Sequence, residues 1–283
     1  MPDAPPTSSK TESGNAEEAL NIEQFRLQAS AFAQSQQLHS QTALAVLLDA
    51  GDPQPSDDML DVACGPGSVV AAFAARVRSA TGVDLTDAML DKANALAGER
   101  KLTNVHWRRA SAYALPFEDA SFDIVISRFA MHHMAKPEAA FAEMLRVARA
   151  GARIVLCDAI AADDCAKAMA LNEMEKLRDP STVQIRSASF FENLFQERGL
   201  GAPTQRRYAH LTSMAALLKN SFPADREKLT KLLEASADED CLGLNAQREG
   251  NDIHFSCPVA VFFTRIKATQ ERHGETICLG VRP

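Results

Sequence analysis

Apolar and polar positions change their period several times along the chain, and each change marks an element. Between Glu18 and about Ala50, Phe25, Ala29 and Phe32 share one face at helical spacing, and Ala43, Val46 and Leu47 repeat it, which predicts two helices before the first strand. Met59-Leu60-Asp61-Val62 is a buried strand that breaks at Gly65-Pro66-Gly67 into a turn and a helix. Ala80 to Asp84 is a second strand, Thr86 caps a helix running to about Gly98, and Val105 to Arg108 is a third strand. Phe122 to Ser127 is a fourth. Pro137 to Val147 then places Phe141, Met144, Leu145 and Ala148 on one helical face, with Gly151 expected to end that helix before the strand Ile154 to Asp158. Strand and helix alternate, which requires an α/β, doubly wound, mostly parallel sheet with helices on both faces.

Beyond this core, Met169, Leu171, Met174 and Leu177 predict a helical insertion between Ala161 and Ser187. Ser189 to Arg198 reads as a helix closed by Gly199, with Phe191, Leu194 and Phe195 inward. Gln205 to Leu211 and Pro258 to Arg265 read as strands, Met214 to Lys219 and Arg226 to Glu234 as helices, and Asp238 to Asn251 as a polar loop. Residues 1–18, rich in Pro, Ser, Thr and Glu, read as a disordered tail, 19–267 as one domain, and 268–283 as an extension without an assigned role.

The chemistry begins at the glycine turn. Glycines admit a ligand that a Cβ would exclude, and the following helix directs free N–H groups at it. A dinucleotide fingerprint needs a third glycine shortly afterwards, and here Ser68, Val69 and Val70 stand instead, so a pyrophosphate site is excluded. A second acid, Asp84, closes the second strand, where a carboxylate holds the two hydroxyls of a ribose.

On these residues the chain resembles the class I S-adenosylmethionine (SAM) dependent methyltransferases, in particular the small-molecule group that includes the quinone C-methyltransferases. The resemblance covers roughly Glu18 to Gly201 and implies SAM as cofactor. It implies that Asp61, Ala63, Gly65 and Gly67 hold the amino-acid end, a carboxylate loop suiting a cationic ammonium and sulfonium. Asp84 with Leu85 and Met89 would hold the ribose side, and Arg128 would join the cofactor set. The segment Ala110 to Asp123 resembles the loop in which an acid and an alanine flank the adenine. Here Ser111 and Ala112 fill those places, so a hydroxyl replaces the usual acid. The N-terminal helices would lie over the pockets with Phe25, Phe32 and Ser35, and the last two strands would form an antiparallel end to the sheet.

For the acceptor, the fourth strand opens into Arg128-Phe129-Ala130-Met131-His132-His133-Met134, at the carboxyl edge where parallel sheets bind ligands. The adjacent histidines are candidates for acid–base work, His132 first, because imidazole titrates near neutrality; the competing reading is that they shape the pocket. Tyr113, Phe129, Met131 and Met134 are expected as walls, and Arg178 and Arg186 as contacts for an acidic acceptor. In family members the insertion forms part of an acceptor lid and often reads Arg-Asp-Pro-Ser-His-Val-Arg; here Thr182 and Gln184 replace the His and the second Arg. Three readings follow: methyl transfer to a small, partly apolar O-, N- or C-acceptor, a cyclase or decarboxylase that keeps SAM unconsumed, or a non-catalytic SAM-binding partner protein.

Composition narrows the setting. The chain has 283 residues, 46% of them hydrophobic, enough for one sizeable core. A net charge of −7 argues against nucleic acid as a bulk partner. Six scattered cysteines without CxxC or metal-ligand spacing predict reduced thiols in cytoplasm and no metal. No stretch reaches the apolar length of a membrane span, the N-terminus matches no signal or transit peptide, and a monomer or homodimer is expected.

Overall fold

The computed structural model describes residues 12–33, 40–221 and 225–267. In chain order the elements are α1 (Glu12–Ala33), α2 (Gln41–Gly51), β1 (Asp58–Val62), α3 (Ser68–Phe73), β2 (Ser79–Asp84), α4 (Asp87–Glu99), β3 (Val105–Arg109), β4 (Phe122–Arg128), α5 (Pro137–Val147) and β5 (Ala148–Ala161). There follow α6 (Cys165–Arg178), β6 (Arg186–Ser187), α7 (Ala188–Gln196), β7 (Thr204–Ser213), α8 (Met214–Asn220), α9 (Arg226–Glu239), β8 (Gln247–Glu249) and β9 (Asp252–Arg265). The main sheet runs β3-β2-β1-β4-β5-β9-β7, parallel through β5 and antiparallel at β9 and β7. The order reverses between β1 and β4, and that switch point is where an open α/β sheet leaves a crevice at its carboxyl edge.

Alternation along the strands assigns the two faces. Leu60 and Val62 of β1, Val125 of β4 and Ile154 and Leu156 of β5 pack on one side with Phe141, Met144, Phe191 and Phe195 from α5 and α7. Met59, Ile124, Ile126, Val155 and Cys157 point the other way, onto Leu47 of α2 and Phe73 of α3. A one-residue slip would exchange both sets, so the register is strongly specified. A third apolar cluster, with Leu171, Met174, Leu229, Leu233, Leu242 and Phe255, builds a helical cap from α6, α9 and the first half of β9.

Several expectations are corrected. The first helix begins at Glu12, inside the segment read as a tail, because its opening turns are polar and lack the apolar face that periodicity detects. Gly151 does not end α5: the helix stops at Val147, Ala148 pairs with Phe122, and Gly151 at φ +82° lies inside β5 with its N–H on Ile266 O at 3.0 Å. Thr86 occupies the N-cap of α4 without a capping side-chain bond. The stretch read as the polar loop Asp238 to Asn251 carries β8, whose pairing with β9 uses only backbone, and buries Leu242 and Leu244. The Phe32 side chain, Ser35 and residues 268–283 lie outside the described residues.

Candidate active site

A cleft of about 980 Å³, open mouth included, runs over the carboxyl ends of β1, β2 and β4. That is within the roughly 300–1,000 Å³ of small-molecule sites. Two of its residues hold a left-handed backbone without being glycine, Ala63 (φ 58°) just after β1 and Phe129 (φ 53°) just after β4. Such conformations persist only where the surroundings impose them, and here they turn both chains sharply away from the switch point.

Among the residues predicted to hold the cofactor, Asp61, Ala63, Gly65, Asp84, Leu85 and Met89 line one end of the cleft. Ser111, Ala112 and Arg128 line it too. Asp84, 8% exposed, accepts from Gly65 N and Thr86 N, each at 2.9 Å, and so ties the glycine turn to the start of α4. Burial raises its carboxyl above the ordinary value against the pull of those two bonds. Asp61 is 1% exposed, and neither carboxylate oxygen has a hydrogen-bond partner among the described residues. Burial pushes its carboxyl well above the usual range, Arg128 opposing and Asp84 adding to the shift. A buried carboxylate in this condition is costly unless a ligand completes it, and a cationic ammonium does so, which is the fit SAM requires. Gly67 is the exception: it does not line the cleft, and a Cβ there would lie 2.8 Å from Ala93 Cβ and 2.7 Å from the Trp107 ring. Its role is close packing of the turn on α4 and β3.

Ser111 is not left alone at its corner. Its hydroxyl hydrogen-bonds to the Glu18 carboxylate from α1, and it accepts from Tyr113 N at 3.1 Å. A carboxylate thus stands beside the place where the loop itself lacks one. Nothing in the local sequence pointed to Glu18, which reaches the site from 93 residues away.

Phe25, Tyr113, Phe129, Met134 and His133 also line the cleft, and the Phe25 ring meets His133 edge-on at 4.8 Å. Met131 and His132 do not line it. Met131, 1% exposed, belongs to the apolar core, because the short 3-10 turn Met131–His133 points it inward. His132 Nδ1 lies 2.5 Å from Asp158 Oδ1, and its backbone N–H donates to Asp158 Oδ2 at 3.2 Å. Burial disfavours its charge, yet the Asp158 carboxylate outweighs this and leaves the imidazole pKa above its ordinary value. Burial together with the neighbouring His132 charge drives His133 down to about 3, so its ring is neutral. Asp158 was missed, although it lies toward the carboxyl end of its strand as Asp61 and Asp84 do in theirs.

Arg178 and Arg186 also lie off the cleft. Arg178 pairs with Glu175 at 2.6 Å, one turn back on α6. Arg186 donates to Met131 O at 2.8 Å and Met134 O at 2.9 Å, so it fixes the histidine turn. Both guanidiniums are spent on the protein rather than on an acidic acceptor.

The family described as Methyltransferase domain matches residues 60–156. Over 230 residues the chain is 32% identical to the uncharacterized methyltransferase YcgJ of Bacillus subtilis (strain 168), covering 79% of this chain and 90% of that one. The chain belongs to the class I SAM-dependent methyltransferases. The crystal structure of YcgJ superposes on this methyltransferase with a TM-score of 0.74 at 28% identity, over 80% of this chain and 98% of that one. The demethylmenaquinone methyltransferase of Clavibacter sepedonicus is 36% identical over 107 residues, which are 38% of the methyltransferase's chain and 42% of the Clavibacter enzyme. Among the described residues no helix is long and apolar enough to cross a membrane.

Proposed function

We propose that this methyltransferase modifies a small, partly apolar metabolite seated against Phe25, Tyr113, His133 and Met134. The observation that carries the reading is one cleft lined both by a partnerless buried carboxylate, Asp61, and by aromatic side chains with a neutral imidazole. Asp61 would bind the ammonium of SAM, Asp84 the ribose hydroxyls, and Glu18 with Ser111 the adenine amino group. Bound there, SAM supplies an electrophilic methyl on a sulfonium. The chain's own contribution is alignment of the acceptor, exclusion of water by α1, and receipt of a proton at His133. A ring of low pKa suffices for that receipt from an oxygen, because an oxygen gaining a methyl becomes an oxonium, far more acidic than an imidazolium. The free cysteines among the described residues support a reducing, cytoplasmic setting.

The test is mass spectrometry of the purified chain with labelled SAM and cell extract. A labelled small molecule together with S-adenosylhomocysteine is the expected result. SAM that binds and is never consumed across a broad extract would refute methyl transfer to a metabolite. His133→Ala is expected to lower kcat about a hundredfold, while SAM affinity stays within about twofold, as read by steady-state kinetics beside calorimetry. Wild-type turnover would reduce His133 to a wall.

Asp61 gives a pH signature. Its carboxyl is raised in the free protein and would be lowered by a bound ammonium, so the free protein carries more protons than the complex. Binding should release a proton, and affinity should rise with pH between the complex's carboxyl pKa and the free protein's. Calorimetry in buffers of different ionisation enthalpy reads that proton directly, and Asp61→Asn should abolish it.

A further inference from the structure

The turn between α6 and β6 packs against the histidine segment, and its Arg-Asp-Pro-Ser motif is not used in cofactor binding. Asp179 is fully buried and Ser181 is 2% exposed. Ser181 Oγ donates to Asp179 Oδ1 at 2.6 Å, and the Ser181 backbone N–H donates to the same oxygen at 3.0 Å. The same hydroxyl lies 3.1 Å from His133 Nδ1. A hydroxyl has one proton. With that proton committed to the carboxylate, the contact to His133 is satisfied only if Nδ1 carries the hydrogen and donates it to Ser181 Oγ. The ring then has Nε2 as its bare nitrogen. Val183 N and Gln184 N donate to His132 O at 2.9 and 3.0 Å, which pins the turn to the histidine segment and preserves the geometry.

From this geometry we infer that Asp179 and Ser181 are positioning residues that lock His133 as its Nδ1–H tautomer, leaving Nε2 to take a proton from a neutral acceptor presenting an O–H or N–H. The inference rests on the proposed function and narrows its acceptor class. A preformed anion would meet the Nε2 lone pair and be repelled, whereas an O–H or N–H is held and aimed. In the step, the X–H bond breaks and its pair stays on X, while a new N–H forms at Nε2 and makes His133 a cation. That charge is matched through Nδ1–H and Ser181 by Asp179, whose second oxygen is buried without a hydrogen-bond partner among the described residues. The proton leaves to solvent with the product. Burial works against the Asp179 charge, but the Arg178 guanidinium and the two Ser181 bonds favour it and the carboxyl lies below its ordinary value, so the carboxylate is ionised as the relay needs.

The decisive measurement is a two-bond nitrogen–proton correlation on the full chain labelled with 15N-histidine, His133 being assigned by the signal missing from His133→Gln. Wild type should show a protonated Nδ1 and an unprotonated Nε2. Ser181→Ala should mix the two tautomers and lower kcat on the order of tenfold with calorimetric SAM affinity unchanged, and Ser181→Thr should restore both. An Nε2–H tautomer in the wild type overturns the inference without recourse to any variant, as does an unaltered tautomer in Ser181→Ala. Loss of the cofactor reading would instead appear as wild-type protein that binds no SAM, a result independent of the nitrogen signals.

Discussion

Asp84→Ala is expected to weaken SAM binding by about a hundredfold or more, the largest effect of any single substitution in the cofactor end. Each hydrogen bond to a charged group contributes roughly 1.5–3 kcal/mol, and in the proposed binding mode two ribose hydroxyls would converge on one carboxylate, so about 3 kcal/mol is at stake. Asp84 also accepts from Gly65 N and Thr86 N, and its removal leaves two backbone donors of the binding loop without their acceptor. Asp84→Asn separates the two contributions, because the amide retains one acceptor oxygen and should give an intermediate loss. Calorimetric titration reads all three proteins. Unchanged affinity in Asp84→Ala would move the ribose elsewhere.

Gly67→Val is expected to destabilise the fold by about 3 kcal/mol or more while acting only indirectly on SAM. The backbone there sits at φ +80°, which costs a side chain on the order of 1–2 kcal/mol. The added atoms must also displace Ala93 Cβ, Ala93 Cα and the Trp107 ring, and overpacking of this kind costs roughly 1–3 kcal/mol. Denaturant unfolding checks the sum. A midpoint equal to wild type would mean that the turn relaxes freely and that Gly67 serves the ligand after all.

The comparison of sequence with structure divides along physical lines. The β1 turn, the β2 acid and the α/β alternation were legible because buried strands are continuous apolar runs and glycines punctuate them. The antiparallel pairing of β7 with β9 was implied by the family resemblance and is present in the sheet. What escaped was contact between distant segments. Glu18 meets Ser111 and Asp158 meets His132 through tertiary packing, for which a single sequence carries no period or spacing. The preference for His132 over His133 failed for the same reason: His133 lines the cleft and His132 does not. One 3-10 turn rotates the first onto Asp158 and the second into the cleft, and adjacent identical residues cannot announce which way that turn faces. Arg186 misled because an arginine near a pocket serves as readily to hold backbone carbonyls as to hold a substrate.

The helix α1 supplies Glu18 beside the proposed adenine corner, Asn21, whose amide donates to His133 O at 3.4 Å, and Phe25 against the His133 ring. One helix therefore walls the cleft beside both the Ser111 corner and His133. On the proposed reading, lifting that helix would uncover the cofactor and the acceptor together, and spent S-adenosylhomocysteine and methylated product would leave through a single door. An inhibitor that braces α1 against the body would trap both in one stroke.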